Sequence, residues 1–113
     1  LVFRSPTYSD GTGYYFGLTC NGKYIFVRWD SSDLTKIVAS TESPEIQTGP
    51  GKSNRLGVMA RGDSFRLFIN GVFIEEVRDS GIDQAGYIGA YSSAWENPAM
   101  QVRLEEISLW TLD

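Results

Sequence analysis

The sequence predicts an all-β protein, a single antiparallel β-sandwich spanning residues 1–113. Three observations predict it. Apolar and polar residues alternate with a period of two through most of the chain, the spacing that puts successive side chains on opposite faces of a strand. Asn-Gly and Gly-Asp pairs separate these runs at the short intervals that hairpins require. The composition pairs 13% aromatic residues with 12 glycines, as many short strands joined by tight turns would. No segment carries a convincing amphipathic helix, and residues 31–34 would supply a single turn at most.

Taken in order, Gly13 to Cys20 is rich in aromatic and β-branched residues and is followed by Asn21-Gly22, read as a two-residue turn. Lys23 to Asp30 resumes the alternation, with Tyr24, Phe26 and Arg28 on one face and Ile25, Val27 and Trp29 on the other. Thr35 to Ser40 is a further short strand. Between Thr41 and Ser53 the chain becomes polar and collects Pro44, Gly49, Pro50 and Gly51, which marks an exposed loop. Asn54 to Ala60, the turn Arg61-Gly62-Asp63, Ser64 to Ile69, the turn Asn70-Gly71 and Val72 to Val77 make a three-stranded meander. In its middle strand Phe65, Leu67 and Ile69 share one face, and Arg66 and Phe68 the other. Gly86 to Ser92 is another strand. A closing strand runs from about Met100 to Leu112, and its inward set changes parity between Leu104 and Ile107. That change predicts a β-bulge at Glu105-Glu106.

A chain of 113 residues makes one domain that buries roughly two-thirds of its unfolded surface, so its core needs no metal or disulfide to hold it. The net charge is −4 with both signs interspersed, and no basic patch is present to neutralise a run of phosphates, so nucleic acid is not expected as a partner. Cys20 is the single cysteine, and histidine is absent. Ser-His-Asp and Cys-His catalysis and imidazole-ligated zinc are thereby excluded. No apolar stretch is long enough for a membrane-spanning helix, and membrane insertion is not expected. The opening Leu1-Val2-Phe3-Arg4 already reads as a strand without an initiator Met, which points to a segment of a larger protein.

The order of motifs resembles the concanavalin A-like lectin/glucanase superfamily, in particular LamG-like and 3-keto-disaccharide-hydrolase-type jelly rolls. The residues that carry it are Phe3-Arg4, Tyr14-Tyr15-Phe16-Gly17, Gly22-Lys23-Tyr24, Asn54-Arg55-Leu56, Gly62-Asp63 and Phe68-Ile69-Asn70-Gly71. Asp79, Gly86-Tyr87-Ile88-Gly89 and Val102-Arg103-Leu104 complete it. The resemblance covers nearly the whole chain, yet its motifs encode turns and core. It implies a jelly-roll fold and a non-catalytic module of the bacterial cell envelope or exterior that binds carbohydrate. Such domains carry further strands before the point where this sequence begins. The resemblance therefore implies a sandwich that is truncated or is completed by self-association, with protein interaction as the alternative function.

Retaining glycosidases hold two carboxylates about 5 Å apart, and the glucanase relatives place them on one strand in a Glu-x-Asp-x-(x)-Glu pattern. Glu42, Glu45, Glu75, Glu76, Glu105 and Glu106 do not form that pattern, so no enzymatic activity and no cofactor are expected. Arg61-Gly62-Asp63-Ser64 is the integrin tripeptide with its following serine, but turn chemistry is sufficient to explain it. Gly49-Pro50-Gly51-Lys52-Ser53 lacks the first glycine of a phosphate loop, that position being Ile46, and is followed by a strand. Asp30, Asp33, Asp79 and Asp83 lack the spacing of a calcium loop, and no metal is expected.

The candidate ligand-binding residues are Trp95, Tyr91, Asn97 and Glu96. Trp95 lies in a polar segment without strand alternation, where its indole either stacks on the apolar face of a sugar or folds back over an open end of the sandwich. Asn97 and Glu96 offer hydrogen bonds to sugar hydroxyls, and Tyr91 extends the platform. Trp110 falls on the non-core face of the closing strand. Tyr14, Tyr15 and Phe16 are consecutive and cannot all face one core. Trp110, Tyr14 and Tyr15 are thus candidate interface residues.

Overall fold

Turn chemistry sets the order of the strands. The computed structural model describes residues 1–6, 11–31, 33–49, 51–82, 86–91 and 106. They form β1 (Val2–Ser5), β2 (Gly13–Leu18), β3 (Lys23–Asp30), β4 (Asp33–Glu42), β5 (Leu56–Arg61), β6 (Ser64–Ile69), β7 (Val72–Arg78) and β8 (Tyr87–Gly89). No helix occurs among the described residues. The strands make two antiparallel sheets, one five-stranded in the order β4-β3-β2-β1-β8 and one three-stranded in the order β5-β6-β7. The molecule is an antiparallel β-sandwich.

The meander forms where the alternation predicts it. Gly62 and Asp63 join β5 to β6, and Arg61 pairs with Ser64 across them. Gly62 has φ 59, and Asp63 does not share its positive φ, the type II′ pattern in which glycine takes the first central position. Asn70 and Gly71 have φ 52 and φ 82, the pair of left-handed residues that a type I′ hairpin needs. The β2–β3 turn differs from expectation. The strand stops at Leu18, and the Thr19 N–H bonds the Lys23 carbonyl at 2.8 Å, while the Gly22 N–H reaches the Thr19 carbonyl at 3.3 Å. The loop is therefore three residues, Cys20 to Gly22, with Gly22 at φ 83 closing it as in a G1 bulge.

Register explains the other departures. Strand β4 is longer than predicted because it carries register shifts opposite Tyr24–Phe26 and Phe26–Val27, which turn both Ile37 and Val38 toward the core. Strand β7 has one between its partners for Leu67 and Phe68, so Ile74 packs on the core and the adjacent Glu75 also reaches inward, to the Tyr24 hydroxyl. Strand β8 is three residues, shorter than the predicted run from Gly86 to Ser92. The closing strand, its bulge at Glu105-Glu106 and Trp110 lie outside the described residues, apart from Glu106, which sits 3.8 Å from the Arg55 guanidinium.

The core is mostly aromatic. Phe3, Tyr14, Phe16, Tyr24 and Phe26 line the inner face of the five-stranded sheet and meet Phe65, Leu67 and Ile69 from β6. Phe65 is central: its ring lies 4.8 Å from Tyr14, 5.5 Å from Phe26 and 5.6 Å from Phe3, centroid to centroid. Tilted rings at these separations satisfy the aromatic quadrupole while filling space. Ile46 and Ile82, both from connecting segments, join this cluster.

One strand is bent to deliver a cation. Arg4 has φ 52 in β1, where the register to β8 shifts, and its guanidinium sits 5.0 Å from the Phe65 ring centroid. Its Nη1 donates to the Gly62 carbonyl at 2.7 Å and the Ile82 carbonyl at 3.2 Å. The strained residue is thus repaid by a cation–π contact and two charge-assisted hydrogen bonds that tie β1 to the opposite sheet. The Arg61-Gly62-Asp63 corner is the anchor for Arg4. Gly86 is required nearby, since a Cβ there would lie 2.5 Å from the Ser5 carbonyl oxygen.

Candidate functional site

The outward faces of the two sheets differ. On the five-stranded sheet the register sets Val2, Tyr15, Val27 and Lys36 in one row and Gly13, Trp29 and Leu34 in the next. Alternation puts Tyr15 and Trp29 outside because the opposite parity of their strands, Tyr14 and Phe16 on β2 and Tyr24 and Phe26 on β3, fills the core. A Cβ on Gly13 would lie 3.2 Å from the Phe3 carbonyl oxygen and 3.4 Å from Ser5 Cβ, so glycine there lets β2 lie close to β1. Gly11, with φ 78, packs against the other elements of this corner: a Cβ on it would lie 3.4 Å from Trp29 Cδ1 and 3.6 Å from the Tyr15 hydroxyl. The Tyr15 hydroxyl donates to the Gly11 carbonyl at 2.5 Å, which fixes the ring.

Tyr91 joins this corner from beyond β8. Its ring stands edge-on to Tyr15, with centroids 6.0 Å apart and planes at 90°, and it is 69% exposed. The two rings make a right-angled notch, with Trp29 on the same sheet face and Thr12 and Ser31 beside it. The Ser31 N–H donates to Thr12 Oγ1 at 3.0 Å. Exposed Leu34 extends the apolar surface next to Trp29.

Of the sequence-predicted residues, the structure brings Tyr91 and Tyr15 together. Tyr14 is corrected: it is fully buried, stacked on Phe26 at 5.6 Å, and presents no surface to a partner. Its parity on β2 places it with Phe16 inside. Trp95, Glu96, Asn97 and Trp110 lie outside the described residues. Trp29, on the same face of β3 as Ile25 and Val27, is part of the outer cluster.

A second arrangement was missed. Arg28 sits on the inward parity of β3 beyond Tyr24 and Phe26, and its guanidinium bonds Asp79 Oδ2, Asp30 Oδ2 at 2.8 Å and Thr35 Oγ1 at 3.2 Å. The Tyr14 hydroxyl donates to Asp79 Oδ2 at 2.6 Å and accepts the Ile82 N–H at 3.2 Å, and the Gly81 N–H completes the carboxylate at 3.1 Å. Burial pushes Asp79 upward, but the Tyr14, Arg28 and Gly81 hydrogen bonds and the Arg28 charge outweigh it, and its carboxyl is held below the ordinary value. Burial, then the hydrogen bond to Asp79, pushes Tyr14 up to about 12. Asp30 and Asp79, considered above as loop carboxylates for calcium, converge on an arginine. Among the described residues no group of three metal-ligating side chains occurs. The cluster is a clasp between β2, β3 and the segment after β7, with its donors and acceptors satisfied internally.

The three-stranded sheet turns a different surface outward. Phe68 and Phe73 pack edge to face at 5.7 Å beside the Arg66–Glu76 ion pair at 3.1 Å, and Phe73 is 52% exposed. Exposed Met59, two residues after Gly57 on β5, is on the same face.

Comparisons with family models, with curated proteins and with solved structures returned no match to this chain.

Proposed function

We propose that the protein is a non-catalytic binding module that recognises carbohydrate, or an envelope component that displays it, on the outer face of the five-stranded sheet. The observation that carries this reading is the notch of Tyr91 against Tyr15 beside Trp29. The exposed Tyr91 ring, set edge-on to a half-buried Tyr15 ring that its bond to the Gly11 carbonyl holds in place, suits the apolar face of a sugar ring, and ordering it on binding costs little conformational entropy. The resemblance to concanavalin A-like domains supports the same chemistry, as do the residue types of Trp95, Asn97 and Glu96 in the sequence.

A glycan array followed by calorimetry on any hit tests the proposal. Tyr91→Ala is expected to weaken binding about tenfold or more while leaving the melting temperature nearly unchanged, whereas Trp29→Ala, at a half-buried position, should weaken binding and also lower the melting temperature. An array without a hit, or variants that bind as the parent does, would sink it.

A second reading, self-association, is favoured by the exposed Phe73 and Met59, with half-buried Phe68 between them, on the three-stranded sheet. Light scattering across a concentration series separates the two. An assembly that Phe73→Lys returns to monomer would support association through that face. A parent that stays monomeric at high concentration would discard it.

A further inference from the structure

The chain contains two Asn-Gly pairs, both in hairpin turns, and the fold treats their side chains differently. Asn70 is held on both amide atoms. Its Oδ1 accepts the Arg55 N–H at 2.8 Å, and its Nδ2 donates to the Glu45 carbonyl at 2.8 Å and to Asn54 Oδ1 at 2.9 Å. Asn54 in turn bonds both backbone groups of Gln47, so the amide of Asn70 is locked to the 45–55 segment. Asn21 is exposed, and its single hydrogen bond among the described residues is the one that its Oδ1 accepts from the Thr19 hydroxyl. Its Nδ2 is unbonded there, and the following Gly22 N–H makes only a long contact of 3.3 Å to the Thr19 carbonyl.

We propose that Asn21-Gly22 is a site of spontaneous deamidation and that Asn70-Gly71 is protected from it by the fold. In this reaction the Gly22 backbone nitrogen attacks Cγ of Asn21 and forms the N–Cγ bond. The Cγ–Nδ2 bond breaks, and ammonia departs with the proton lost from the glycine nitrogen. Water then opens the succinimide at either carbonyl, leaving aspartate or isoaspartate at position 21. The step needs no oxidant, reductant or enzyme. Glycine has no Cβ to shield its nitrogen. The Thr19 hydroxyl, donating to Oδ1, withdraws electron density from the carbon under attack and stabilises the charge that develops on that oxygen. At Asn70 the same attack must first break three hydrogen bonds, which lowers the population of any reactive conformer.

The product would place a carboxylate near Glu42, which borders the same surface depression as Asn21, on a chain that already carries net charge −4. An isoaspartate would also lengthen the backbone inside a three-residue loop that sets the β2–β3 register. This corner lies at the far end of the hairpin from Trp29, so the aromatic notch is not altered directly.

The test is peptide mapping by mass spectrometry of the intact protein, held in mildly alkaline buffer and, in parallel, in denaturing urea. In the folded protein acid should accumulate at position 21 about tenfold or more faster than at position 70, the ratio expected from a hydrogen-bonded against a free amide. In urea the two positions should convert at similar rates. The Asn21→Gln variant should lose the early amide-to-acid mass gain. Equal conversion of both sites in the folded protein would overturn the proposal. So would an unconverted Asn21 when the denatured chain has reacted there, or an early mass gain that survives in Asn21→Gln.

Discussion

Phe65→Ala is expected to destabilise the protein by about 3–5 kcal/mol, the range for truncating a fully buried aromatic ring. Phe65 is 0% exposed and touches Phe3, Tyr14 and Phe26 from the facing sheet, so the vacated volume lies between rings that cannot close over it without leaving their own positions. The variant also removes the ring beneath Arg4, leaving that guanidinium with its two carbonyl partners alone. Against a total stability of about 5–15 kcal/mol, such a loss is large enough to unfold a marginal domain. Urea unfolding followed by fluorescence measures it through the midpoint at constant slope. A loss below about 1 kcal/mol would mean that Phe65 is not in a dry, rigid core.

Asp79→Ala should have the next largest effect, about 2–3 kcal/mol. Removing one partner of a fully buried ion pair costs about 3–5 kcal/mol. Here the side chains of Arg28 and Asp79 are 18% and 16% exposed, so water screens part of the loss. The substitution also strips the Gly81 N–H of its acceptor and leaves the Tyr14 hydroxyl only the Asp79 carbonyl, at 3.3 Å. The sign of the pH dependence follows from the two shifts. Asp79 is depressed in the folded state, so its contribution is complete above the ordinary value of 3.8 and is lost as the pH falls through the folded value. Tyr14 is raised from 10.0 to about 12, so its contribution is complete below 10.0 and is lost as the pH rises through about 12. Melting temperatures across pH should therefore fall at both extremes, and Asp79→Asn should flatten the acid limb. An unchanged acid limb in that variant would show that Asp79 is not the group responsible.

The sandwich was legible because its strands obey alternation: Phe65, Leu67 and Ile69 are read as one face, and all three are fully buried. Where a strand breaks alternation the sequence was harder to read. Ile74 and Val77 both pack on the core although their parity differs, and that odd spacing is the trace of the β7 bulge that brings Glu75 inward. The length of the β2–β3 loop depends on backbone bonds of Thr19, which Asn21-Gly22 alone does not specify. Half of the site was visible as aromatic residues without a core to fill. Tyr15 stands out in this way, but Trp29 does not, because a strand-end indole suits core and rim alike. The Arg28 clasp had a sequence signal: a charged residue on the inward parity of β3, after Tyr24 and Phe26, must find a counter-charge, and Asp79 supplies it.

The strand order has a consequence for how the chain is made. Each neighbouring pair from β2 to β4, and from β5 to β7, is joined by a short local turn, so these ribbons need only contacts close in sequence. Strand β1 instead lies between β2 and β8, and its second neighbour is the last described strand. During synthesis from the N-terminus, one edge of β1 stays open while the whole three-stranded sheet is translated. Its shortness and its kink at Arg4 make it a poor template for a foreign strand during that interval.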